Sequence, residues 1–148
     1  MWFVGVDSRD RRWLALNARL LGVIGVALIA AGLAGFVLPP DLALMSGAPA
    51  YNVFHLAAGV GALGLVFTHR PGLMASFNLG FGLIDLWQLI AGLAGLFPAE
   101  LFALRPADHV VHALLGLLLV LVGSRGVAAM IRLPRTPEQT ADGEGQGG

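Results

Sequence analysis

Apolar residues run along this chain in four long blocks, and polar residues gather where the blocks end. The first block is LLGVIGVALIAAGLAGFVL, residues 20–38, closed by Pro39 and Pro40. The second, residues 51–68, stops at His69-Arg70-Pro71-Gly72. The third covers 75–97 and stops at Pro98. The fourth opens at Asp108 and is apolar to Val122. It continues past Ser124 and Arg125 to about residue 132, because an arginine there can extend its charge to the headgroups. A helix rises 1.5 Å per residue, so about 20 apolar residues cross a hydrocarbon core. The pattern predicts an all-α fold: a four-helix transmembrane bundle with spans near 17–39, 51–69, 75–97 and 108–131. The transmembrane domain is then 14–132, between an N-terminal segment (1–13) and a polar, glycine-rich tail (133–148) expected to be disordered. A secretory signal is the rival reading of the first block. Its apolar region would be about 7–15 residues long; this one is longer and ends in Val-Leu-Pro-Pro, so a retained helix is expected.

Composition agrees. The chain is 57% hydrophobic and 12% charged, with mean hydropathy +0.79. A soluble domain carries about 25% charged residues. There is no cysteine, which excludes disulfides, thiolate metal sites and a cysteine nucleophile. Net charge is zero, so no nucleic-acid partner is expected. The partners implied are the lipid bilayer and a second copy or another membrane protein. Arginine placement sets the orientation. Arg9, Arg11, Arg12, Arg19, Arg70, Arg125, Arg132 and Arg135 fall on one side and Arg105 on the other. Both termini are therefore expected in the cytoplasm of a bacterium, with the spans in its inner membrane.

The chain also resembles itself. AGLAG occurs at 31–35 and at 91–95, an offset of 60. NVFHLAAG at 52–59 is echoed by HVVHALLG at 109–116, an offset of 57. His55 then matches His112, and Gly59 matches Gly116. Two copies of one helical hairpin are expected, related by an axis along the membrane normal. Ala31 and Gly35, and likewise Ala91 and Gly95, are small residues four apart that let helices approach closely in lipid. Gly59 and Gly116 add to the same packing.

Ionisable groups in lipid are expensive. Asn52, His55 and Gly59 share one helix face, as do His109, His112 and Gly116, with Asp108 four before His112. One reading is structural: Asn52 and Asp108 cap the second and fourth spans and the histidines bond to loop carbonyls, to Asp108 or to each other's helix. A second is a redox subunit in which His55 and His112 ligate haem iron, or His55, His109, His112 and Asp108 hold a divalent metal. A third is a small proton-linked transport component. Asp85 motivates it, mid-span in GLIDLWQL with Gln88 on the same face and Asn17, Asn78 and Gln88 as neutral partners. No triad order and no phosphate loop is present, so intrinsic catalysis is not expected and no cofactor is required. A structural or accessory membrane protein is the first expectation.

The order of motifs (N-V-F-H-L-A-A-G, then GLAGLF, then D-H-V-V-H-A-L-L-G) resembles a family of small bacterial four-helix membrane proteins known as a domain of unknown function. The resemblance covers roughly residues 15–126. It rests on Asn-x-x-His in the second span, here Asn52 and His55, and Asp-x-x-x-His in the fourth, here Asp108 and His112. It implies an integral membrane protein with four spans and implies no activity. Asp85 departs from that pattern, in which the middle of the third span is apolar or aromatic.

Overall fold

Prolines set where three of the helices begin. The computed structural model describes residues 7–39 and 42–133. The expected disordered tail, from residue 134 on, lies outside them. Helices α2 (Pro49–Phe67), α3 (Pro71–Ala94) and α5 (Pro106–Ile131) each carry proline in the first turn. Proline lacks an N–H there, where the helix has no partner for one, and its φ is already helical. Helix α1 (Ser8–Val37) starts well before the expected residue 17. Asp7 caps it by accepting the Arg9 N–H at 2.8 Å, and the arginines, leucines and alanines that follow are good helix formers. Thirty residues make a rod of about 45 Å, longer than the roughly 30 Å of hydrocarbon, so its basic first turns extend past the apolar stretch. Helix α3 stops at Ala94 because Gly95 turns left-handed, with φ 65°. A single-turn helix, α4 (Ala99–Phe102), interrupts what the sequence presents as a plain loop.

Four of these helices, α1, α2, α3 and α5, are long and apolar enough to cross a membrane. They pack as two close antiparallel pairs, α1 on α2 and α3 on α5. Helix α1 also touches α3 and α5, whereas α2 and α5 face each other on the open diagonal. Glycines make both close pairs possible. A Cβ on Gly59 would stand 2.7 Å from Ile29 Cγ1 and 2.8 Å from the Gly25 carbonyl oxygen. A Cβ on Gly116 would stand 2.9 Å from Leu86 Cδ2 and 3.0 Å from the Gly82 carbonyl oxygen. Gly35 backs directly onto the Asn52 side chain, and Ala91 is fully buried. Gly95 differs from the expectation: nothing packs on it, and its service is to end α3.

The bundle buries polar side chains among its apolar core and presents an apolar outer surface. Buried side chains include Asn17, Asn52, His55, Asn78, Asp85, Gln88, Asp108 and His112, while Val23, Leu93, Leu114 and Leu117 are each more than half exposed. A water-soluble protein of this size rarely shows so much contiguous apolar surface; in lipid it is the expected arrangement.

Candidate functional site: a buried polar cluster

Call the end of the bundle that holds the α1–α2 and α3–α5 connections the connection end. The sequence-selected residues mostly meet there. Asp108 is fully buried in the first turn of α5, and its Oδ2 accepts two backbone N–H groups, from Arg105 at 2.7 Å and from Ser46 at 3.0 Å. The second bond crosses from one connection to the other. Two more cross with it: the Ser46 hydroxyl donates to the Phe102 carbonyl, and the Arg105 guanidinium donates to the Ala43 carbonyl. Ser46 Oγ also accepts the Ala48 N–H at 3.1 Å, at the start of α2.

Behind these loops the Tyr51 hydroxyl meets His112 Nε2 at 2.8 Å, bridging α2 and α5 across the diagonal. The Tyr51 ring lies 4.1 Å, centroid to centroid, from the His55 ring and 5.3 Å from Phe102. Several buried atoms here have no hydrogen-bond partner: Asp85 Oδ2, Gln88 Oε1, Asp108 Oδ1 and His112 Nδ1.

Not every candidate joins the cluster. His109 turns onto α3, against Gly92. Asn52 does not cap α2, whose N-cap is Ala48; it sits one turn in and donates to the Gly47 carbonyl at 3.2 Å. Asp108 likewise acts from the third position of α5 and bonds back to the N-cap, Arg105. Asn17 and Asn78 pair with each other, not with Asp85. Asn78 Nδ2 donates to Asn17 Oδ1 at 2.9 Å, and Asn17 Nδ2 donates to the Val122 carbonyl at 2.8 Å. Between that pair and the cluster lie Ile24, Leu28, Phe81 and Leu119, packed together. Among the described residues, no three His, Asp or Glu side chains converge in a way that could hold a metal ion.

Two residues escaped the sequence reading. Tyr51 appeared there only as the first residue of a span, yet it is fully buried at the centre of the cluster. A signal existed: Tyr51 precedes His55 by four residues, as Asp108 precedes His112. Ser46 carries no such mark, because its role depends on a loop closing over α5. Beside the cluster, a groove of about 230 Å³ lies between α1 and residues 42–46 and reaches Tyr51 and His55. Comparison with family models, with curated proteins and with solved structures finds no match.

Proposed function

We propose that this is an accessory integral membrane protein without catalysis of its own, and that its buried polar cluster holds the connection end closed. The observation that carries this reading is Asp108. One carboxylate oxygen joins the backbones of both connections, and the surrounding polar groups extend the same stitch. The packed side chains between Asp85 and the Asn17–Asn78 pair interrupt any polar route along the bundle, which favours this reading over transport.

We further propose that the bundle is a repeated hairpin in the bacterial inner membrane, with both termini cytoplasmic. Support for the repeat comes from register. Pro49 and Pro106 open α2 and α5 at a separation of 57 residues, and Val37 and Ala94 close α1 and α3 at the same separation. The contacts Gly25–Gly59 and Gly35–Asn52 have counterparts in Gly82–Gly116 and Gly92–His109 at that offset. The AGLAG copies, 60 residues apart, do not keep this register: Gly35 backs a helix, whereas Gly95 ends one. The motif order shared with the small four-helix family of unknown function is consistent with this reading.

The chain has no native cysteine, so single cysteines report orientation cleanly. Glu100, in α4 at the connection end, is exposed. In intact spheroplasts a membrane-impermeant maleimide should label Glu100→Cys and spare a cysteine added after Gly148. Labelling of the C-terminal cysteine with protection of Glu100→Cys would overturn the orientation.

A further inference from the structure

His55 is the one histidine of the cluster that faces an opening. It is 6% exposed and lines the groove between α1 and residues 42–46. Among the described residues it makes ring contacts with Tyr51 and Phe54 and no hydrogen bond. A neutral imidazole offers one N–H donor and one acceptor nitrogen. The His55 ring nitrogens are not among the buried unpartnered atoms of the described residues, so they are reachable from the groove and open to a partner there. The groove is where a partner would enter.

The walls of the groove define that partner. On α1 the lining is Ala31, Ala34 and Gly35, so this wall carries no side chain longer than a methyl group. Tyr51 lies with His55 at the base. The mouth is marked by Leu38, Leu42 and Leu44, which are exposed and apolar and so face lipid. About 230 Å³ is smaller than an ordinary drug-sized pocket of about 300–1,000 Å³; it accommodates a single ring, with any long tail left in the bilayer. Charge narrows the choice further. Ser46, on the groove wall, bonds to the Asp108 carboxylate at 3.0 Å, so an anionic head would approach an acidic group just behind that wall. Apolar walls make a cationic head costly to desolvate. What remains is a neutral, flat head that accepts a hydrogen bond.

We propose that this groove binds a lipid-soluble quinone, with a ring carbonyl accepting the His55 N–H and the tail leaving between Leu38 and Leu44. The site does not depend on which face of the membrane the connection end occupies, nor on whether the protein is accessory. Binding alone is assigned; no electron transfer is required.

The test uses the full chain purified in detergent, with decylubiquinone as the probe and palmitate as the anionic comparison. Native mass spectrometry gives stoichiometry, and isothermal titration gives affinity. One quinone per chain is expected, with weak or no palmitate binding. His55→Leu removes the donor, and Ala34→Phe fills the groove without touching the polar cluster. Each should weaken quinone binding about tenfold or more, the scale of one lost hydrogen bond or a blocked contact face. Leu16→Phe, on the outer face of α1, should bind as wild type. Size-exclusion elution and a melting curve establish that each variant is folded. If His55→Leu proves unfolded, Ala34→Phe and the palmitate comparison decide. Failure of folded wild type to bind quinone, unchanged binding in Ala34→Phe, or palmitate binding as tightly as quinone would each overturn the assignment.

Discussion

Replacing Asp108 separates geometry from charge at the stitched end of the bundle. Asp108→Leu leaves the N–H groups of Ser46 and Arg105 without the acceptor they share, at 3.0 and 2.7 Å in the wild type. Stranding a buried donor costs about 1–3 kcal/mol. Two donors therefore give about 2–6 kcal/mol, and reorganisation of the loops toward water should bring the loss to the lower half of that range. Asp108→Asn is the informative partner. Both bonds land on one oxygen, Oδ2, and an amide also has one carbonyl oxygen with two lone pairs. That oxygen can accept both N–H groups, but the amide NH2 takes the place of Oδ1, which is buried without a partner, so the loss is the charge-assisted part plus one stranded donor group, about 1–3 kcal/mol. Reversible unfolding in mixed micelles with increasing SDS, followed by circular dichroism, measures both variants against wild type. A larger loss for Asn than for Leu would refute the shared-acceptor geometry, and a wild-type midpoint for Asp108→Leu would refute the stitch altogether.

Gly59→Leu should destabilise the α1–α2 pair by about 3 kcal/mol or prevent folding, since even its Cβ would stand 2.7 Å from Ile29. Gly64→Leu on the same helix has open space around it and should unfold at the wild-type SDS concentration. A double-mutant cycle on Asn17→Ala and Asn78→Ala should yield a coupling of about 0.6–1.7 kcal/mol, the range for hydrogen bonds between membrane helices; strict additivity would contradict the pair. The Arg9 backbone N–H holds the Asp7 carboxyl below its ordinary value of 3.8. Because the folded form binds that proton more weakly than the unfolded chain, the cap is fully present above the ordinary value and is lost as pH falls through the folded one. NMR titration in micelles should find the Asp7 midpoint below 3.8, and a midpoint above it would contradict the cap.

The four long apolar helices were legible because length, apolarity and terminal prolines are written directly in the chain. The start of α1 was not, because Arg9, Arg11 and Arg12 argue against a span while doing nothing to prevent a helix. Small residues were easy to see and hard to assign. Glycine at 35 serves a close contact and glycine at 95 serves a turn, and only backbone geometry tells them apart. The site was legible in its histidines and Asp108, whose cost in lipid marks them. Tyr51 carries no such cost, being half apolar, and Ser46 acquires its role only when the α1–α2 connection folds across α5. The Asn17–Asn78 pair spans 61 residues, a separation no local pattern can report.

The packed layer of Ile24, Leu28, Phe81 and Leu119 has an electrical consequence. A membrane voltage does work of about 2.3 kcal/mol on each elementary charge carried through 100 mV. That work falls where dielectric constant is lowest, so the hydrocarbon layer takes most of the drop, and polar groups on either side of it sit near the potential of their own face. A proton arriving at Tyr51 or His55 from the connection end would cross little of the field. If the four helices span the membrane as proposed, the cluster communicates electrically with the face at the connection end, and the apolar layer separates it from the other.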